Sequence, residues 1–258
     1  MCFAALAGCG RNDSMQNEDH KLAIYQGQRL NPGDLIPKYT VSFHHVNVLA
    51  GLDQVGEQYC TGTIVRSQWI LTAAHCLVFP GDFIKFYNGS GYSGDTRRVS
   101  LDILSNPLRR PPNVTPTNYW VNNQRQDVLL VKMDSPIPLD TGLYKSAFVT
   151  VKLDDRIDPV LGNKGWIAGG KDSTATTGNL LYADAEVTTF NRSTNGLVVD
   201  AYAETGDSGG PFFTKGATAG TLELVGVLSA VNALTRGSSL TYLGLSPGLR
   251  DWIISNYQ

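Results

Sequence analysis

The chain of 258 residues predicts an all-β protein, built as barrels or a sandwich and closed by one helix. Three observations carry that prediction. Apolar and polar side chains alternate at period two in several short stretches. Turn formers are dense, with 27 glycines and 12 prolines, too many for a helical bundle and too few for a collagenous or disordered chain. Helical spacing occurs only at the carboxyl end.

The elements follow in order from Ile24. Tyr39, Val41 and Phe43 alternate with Thr40, Ser42 and His44, as a half-buried strand requires. His44 and His45, adjacent there, face opposite sides and cannot chelate one ion together. An apolar strand runs into His75, and Val99, Leu101 and Ile103 form the next alternation. Arg109-Arg110-Pro111-Pro112-Asn113-Val114-Thr115-Pro116 reads as a solvated loop, because its prolines remove ladder donors. Val128 to Met133 is a near-continuous apolar strand, and Val149, Val151 and Leu153 alternate again. Leu222, Leu224, Gly226 and Leu228 mark a late strand. Leu249, Trp252 and Ile253 then stand at i, i+3 and i+4 after Pro247-Gly248, a helical stripe. Turn clusters such as Asn88-Gly89-Ser90-Gly91 and Gly169-Gly170-Lys171-Asp172-Ser173 separate the strands.

A chain this long buries roughly 70–75% of its unfolded surface, so its core needs no metal. The formal charge is −2 with no block of like charge, which gives no electrostatic case for nucleic acid or an anionic membrane. No apolar run approaches the length of a spanning helix. Cys2 and Cys9, and Cys60 and Cys76, lack zinc-ligand spacing, and neither metal nor cofactor is expected. A Cys60–Cys76 bridge would contribute about 3 kcal/mol by closing its loop, and implies an oxidising compartment.

Residues 1–23 read as a separate leader-like tail, with residues 24–258 as the folded domain. Leu6-Ala7-Gly8-Cys9 resembles the lipobox of bacterial lipoproteins, which implies lipidation at Cys9, a lipid anchor and a bacterial source. The segment has no basic stretch before it, and a tail with a chance four-residue match is the other reading. Export is expected either way, to the medium or the cell envelope. The sequons at Asn12, Asn88, Asn113 and Asn191 would carry glycans only in a eukaryotic secretory route.

Three stretches carry chemistry. Trp69-Ile70-Leu71-Thr72-Ala73-Ala74-His75-Cys76 ends a strand with a histidine. Gln126-Asp127-Val128-Leu129-Leu130 heads a strand with an aspartate. Gly206-Asp207-Ser208-Gly209-Gly210-Pro211 sets a serine in a glycine-rich turn. A serine hydroxyl is a poor nucleophile until a base takes its proton; histidine titrates near neutrality, and a carboxylate fixes its tautomer. The backbone amides of Gly206 and Ser208 are candidate donors to a developing oxyanion.

These stretches resemble the trypsin/chymotrypsin-like serine proteases, in the family order His, Asp, Ser. Cys60-Thr61-Gly62-Thr63-Ile64-Val65, Val225-Gly226-Val227-Leu228-Ser229, Tyr242 and the Trp252-Ile253 helix extend the likeness from about Ile24 to the carboxyl end. The resemblance implies two packed antiparallel six-stranded β-barrels with the active site between them, and a monomer. It also implies polypeptide substrates, protein inhibitors as partners, and a disulfide between Cys60 and Cys76. His75, Asp127 and Ser208 become the catalytic triad.

The family is made as inactive precursors, and Ile24-Tyr25-Gln26-Gly27 is similar to its mature start. The freed amine of Ile24 would pair with Asp207, whose burial requires a counter-charge. Tyr25 and Gln26 replace smaller residues, and Ala23 rather than a basic residue precedes the cut. Tyr202 stands where basic-specific members carry an aspartate; Asp200 lies two residues earlier and could reach the pocket base, and Ser229 and Val231 complete the expected pocket, with Val231 narrowing its mouth. Cleavage after a basic residue or after a small to medium apolar one both stay open. A catalytically silent homologue acting as a binding module is the alternative reading. A lipase on an α/β-hydrolase fold fails, because no histidine follows Ser208.

Overall fold

A computed structural model describes residues 24, 28–29, 35–76, 78, 82–88, 91–98, 119–121, 124–133, 136–137, 152–153, 159, 161–170, 180–232, 237–244 and 249–256. The lipobox-like tail with Cys2 and Cys9, the expected strand at 99–103, the loop at 109–116 and residues 149–151 lie outside the described residues.

The described chain begins with Ile24, β1 (Gln28–Arg29) and a short helix α1 (Leu35–Tyr39). β2 (Thr40–Leu49) and β3 (Leu52–Arg66) form a long hairpin. Its turn residues Ala50 and Gly51 both have positive φ, 52° and 78°, the handedness that matches strand twist. β4 (Trp69–Thr72) returns against β3, followed by a single tight turn of helix at Ala74–Cys76. β5 (Phe83–Asn88) and β6 (Gly91–Arg98) make the next hairpin. β7 (Tyr119–Val121) and β8 (Gln124–Gln126) pair as a small ribbon before β9 (Leu129–Lys132). Six of these strands join in one sheet, in the order β6-β5-β2-β3-β4-β9.

The second half contains β10 (Lys152–Leu153), β11 (Lys164–Gly169), β12 (Leu181–Asn191) and β13 (Gly196–Val199). It continues with β14 (Pro211–Lys215), β15 (Leu222–Asn232) and β16 (Gly237–Tyr242). The order is β12-β11-β14-β15-β16-β13, and β13 pairs back onto β12. This sheet is therefore a closed six-stranded antiparallel barrel, which leaves those strands no open edge. β1 and β10 add to it at β12 and β15. Helix α2 (Leu249–Asn256) ends the description, burying the expected stripe of Leu249, Trp252 and Ile253.

Two strands depart from half-burial. On β2, Thr40, Ser42 and His44 are as buried as Val41 and Phe43. The polar face is tolerated because it is hydrogen-bonded: Thr40 Oγ1 donates to the Ile36 carbonyl at 2.8 Å, and Ser42, His44 and Tyr87 form a chain. Tyr39 closes α1 instead of opening the strand. On β15, Val225 and Val227 are buried as fully as Leu222 and Leu224. The strand separates two apolar clusters: Leu224 and Val227 join the one shared with β2–β5, β9 and α2, and Val225 joins the one filling the closed barrel. The hairpin tip is the opposite case, with Val48, Leu49 and Leu52 exposed.

Candidate active site

His75 lies in the helical turn after β4, and its neighbour Cys76 is disulfide-bonded to Cys60 on β3. The expected bridge is thus present, and it staples the turn to the sheet with a Cα–Cα distance of 6.0 Å. The Cys60, His75 and Cys76 donor atoms lie within 4.8 Å of one another. With both sulfurs bonded to each other they offer no thiolate, so this cluster is not a metal site.

Asp127, between β8 and β9, grips His75 twice. Its Oδ1 accepts the His75 backbone N–H at 2.8 Å, and its Oδ2 pairs with Nδ1 at 2.6 Å. Ser229 Oγ, from the end of β15, donates to the same Oδ2 at 2.6 Å. Burial pushes the Asp127 carboxyl up, but the hydrogen bonds from His75 and Ser229 and the imidazole's charge outweigh it, and the net shift is downward. The hydrogen bond to Asp127 raises the His75 pKa; burial opposes this and the carboxylate charge adds to it. With the Nδ1 proton directed at Asp127, Nε2 is the basic lone pair. His75 is 43% exposed, so that nitrogen belongs to an accessible ring.

Ser208 sits half-buried in the turn before β14. Its carbonyl accepts the Thr61 N–H at 2.8 Å, and the Cys76 sulfur lies 3.6 Å from the same oxygen. The backbone of Ser208 therefore abuts the residue that follows His75. Gly206 and Gly209 have φ of 102° and 84°, a region L side chains rarely adopt. A Cβ at Gly209 would also strike Thr72 Oγ1 and the Thr61 carbonyl. The Gly206 carbonyl accepts from Thr61 Oγ1 at 2.9 Å and from Gln58 Nε2 at 3.1 Å.

Asp207 is fully buried, with Oδ2 accepting the Glu204 amide at 2.9 Å and its carboxylate packed where a side chain at Gly169 would stand. Ile24 is also fully buried, in the closed barrel's apolar cluster with Ile167, Ala203 and Phe212. Of the residues expected in the substrate pocket, Asp200 is exposed and its carboxylate accepts the Glu186 amide at 2.7 Å. Tyr202 is half-buried, and Val231 is 43% exposed near the end of β15. Ser229, expected in the pocket, reaches Asp127. Ser238 on β16, unremarked in the sequence, donates to the Ala201 carbonyl at 2.7 Å and accepts the Ala203 amide at 2.9 Å, tying the segment before Ser208 to the barrel wall.

Sequence reasoning also missed Gln58 and the buried pair Gln126 and Asn195. The only signal for the last was the Asn195-Gly196 dipeptide, a hairpin-turn mark.

The trypsin family model matches residues 26–253, and the chain belongs to that family of serine proteases. Scolexin B of Heliothis virescens is 34% identical over 126 residues, 44% of this chain and 40% of that protein. Clotting factor C of Tachypleus tridentatus is 31% identical over 97 residues, 32% of this chain and 8% of its own length. A snake venom serine protease of Crotalus durissus durissus is 28% identical over 82 residues, 32% of this chain and 30% of that one. The matched stretches thus span less than half the length of each of these relatives. The solved structure of neuropsin, a serine protease expressed in the limbic system of mouse brain, shares the fold with a TM-score of 0.59 at 17% identity, covering 90% of this chain and 99% of that one.

Proposed function

We propose that the protein is an exported serine endopeptidase acting through Ser208, His75 and Asp127. The observation that carries this reading is the double grip of Asp127 on His75, at 2.8 Å to the backbone and 2.6 Å to Nδ1. Ser208 Oγ attacks the carbonyl carbon of a peptide bond while His75 Nε2 takes its proton. The amides of Gly206 and Ser208 receive the oxyanion. His75 then protonates the departing amine, leaving an acyl-enzyme, and a water deprotonated by His75 releases the acid.

Activation follows cleavage before Ile24, whose new amino group neutralises buried Asp207. The full burial of both residues supports this. A polypeptide is the substrate. Val231, assigned by family resemblance to the pocket mouth, and Asp200's engagement with Glu186 favour a small or medium apolar residue before the cut over a cationic one.

The test is labelling with a fluorophosphonate before and after cleavage at residue 24, with Ser208→Ala as control. Labelling of Ser208 that appears after cleavage is expected, rising with pH through a His75 ionisation above the ordinary value of about 6.5. Correctly cleaved, folded protein that stays unlabelled would overturn the reading and favour the silent binding module.

A further inference from the structure

Asp127 is fixed by more than the groups that touch its carboxylate. Gln126, immediately before it, is 2% exposed, and Asn195, in the turn between β12 and β13, is fully buried. Asn195 Nδ2 donates to Gln126 Oε1 at 3.0 Å, and Gln126 Nε2 donates to the Thr194 carbonyl at 3.3 Å. The same Nδ2 donates to the Tyr242 carbonyl at 2.7 Å, and the Asn195 carbonyl accepts the Tyr242 N–H at 3.1 Å. Asn195 holds a left-handed φ of 56° to do this, a conformation asparagine tolerates better than most residues.

We infer that Asn195 and Gln126 form a positioning clamp that sets Asp127, and through it His75, in register with the barrel carrying Ser208. The inference deepens the protease reading and rests on it.

The physical argument is one of lever length. Gln126 and Asp127 share a peptide bond, so fixing the Gln126 amide leaves the Asp127 Cα only a few torsions of freedom. The Gln126 amide is fixed at both ends, donor and acceptor, by consecutive residues of the opposite barrel. Two 2.6 Å contacts then depend on where that Cα sits, one to His75 and one to Ser229. Both ends of the buried Gln126 amide are paired, as burial of a polar group demands, and an exposed loop closure would need neither the burial nor that two-ended pairing. A turn stabilised for its own sake would be satisfied by Asn195's contacts with Tyr242 alone.

The test uses Asn195→Gly, which keeps the left-handed backbone without the amide, and Gln126→Met, which keeps length without polarity. Gln126→Asn, an amide one methylene short, serves as a milder partner should either fail to fold. The first readout is the downfield proton resonance of His75 Nδ1–H, recorded in a Ser208→Ala background so that it does not depend on turnover. Loss or upfield movement of that line in the folded variants is expected. In the Ser208 background, kcat should fall roughly ten- to a hundredfold with KM within about twofold, and the double variant should fall little further than either single one. An unmoved line with unchanged kcat in folded protein would overturn the clamp. Absence of fluorophosphonate labelling in wild type would overturn the protease reading instead, and the resonance would still decide the clamp.

Discussion

Thr61 makes four contacts around the Ser208 turn. Its N–H donates to the Ser208 carbonyl at 2.8 Å, its hydroxyl donates to the Gly206 carbonyl at 2.9 Å and accepts Gln58 Nε2 at 3.2 Å, and its own carbonyl accepts Thr72 Oγ1 at 2.7 Å. Residue 206, with its unusual φ, is thereby held at its carbonyl end by two donors from β3. Thr61→Val keeps the shape and removes the hydroxyl, leaving a buried acceptor short of one partner. The expected cost is about 1–3 kcal/mol of stability in urea unfolding, with fluorophosphonate labelling of Ser208 slowed about tenfold if the Gly206 amide is the proposed oxyanion donor. Thr61→Ser should restore both. A valine variant labelling at the wild-type rate would show that Gln58 alone suffices.

At the scale of the element, β2 carries the clearest pH dependence. His44 Nδ1 is 3.0 Å from the Gly56 carbonyl and so carries the proton, and Nε2 accepts from Ser42 Oγ at 2.8 Å. Burial lowers the pKa to about 4; the Gly56 hydrogen bond raises it in part, and the charges of Lys85 and His45 lower it further. The folded protein therefore resists protonation of His44 that the unfolded chain accepts below about 6.5. Stability is unaffected above that value, falls as pH drops from about 6.5 to about 4, and changes no further below, a total of about 3 kcal/mol. His44→Gln should flatten this window in urea titrations at pH 7 and 4.5. An equal loss in both proteins would exonerate His44. The polar face that causes this effect was not legible in the sequence. Period two identifies the faces of a strand, but whether the polar face meets water depends on what packs over it. On β2 that includes Tyr87 of β5, 45 residues from Ser42.

At the scale of the whole molecule, the two halves meet through contacts between residues far apart in sequence. Ser229 reaches Asp127 across 102 residues, Thr61 reaches Gly206 across 145, and Gln58 reaches Gly206 across 148. The strands around residues 41–44, 69–72, 129–132 and 222–228, the terminal helix and the motifs of the proposed triad could be read locally, because periodicity and motif are local. The closed barrel is legible only through the family resemblance, and the contact of Ser229 with Asp127 and the Gln126–Asn195 pair are not legible at all, because each depends on a partner that only the folded topology supplies. Ile24 lies between these cases: its motif is local, and its burial is a property of the assembled barrel. Ile24→Ala is expected to cost about 2–5 kcal/mol in thermal unfolding of the cleaved protein and to reduce the labelled fraction in parallel. A residue merely leading into the fold would cost a few tenths.

The division of the proposed triad between the halves also has a meaning in time. A ribosome adds His75 and Cys76 well before the proposed nucleophile, since 132 residues separate Cys76 from Ser208. At common synthesis rates that interval lasts roughly ten seconds. Once Asp127 has also been added, the emerging chain holds the proposed base and orienting acid with no serine to activate. On the proposed mechanism, a product cut short before Ser208 lacks its nucleophile and is inert for the same reason.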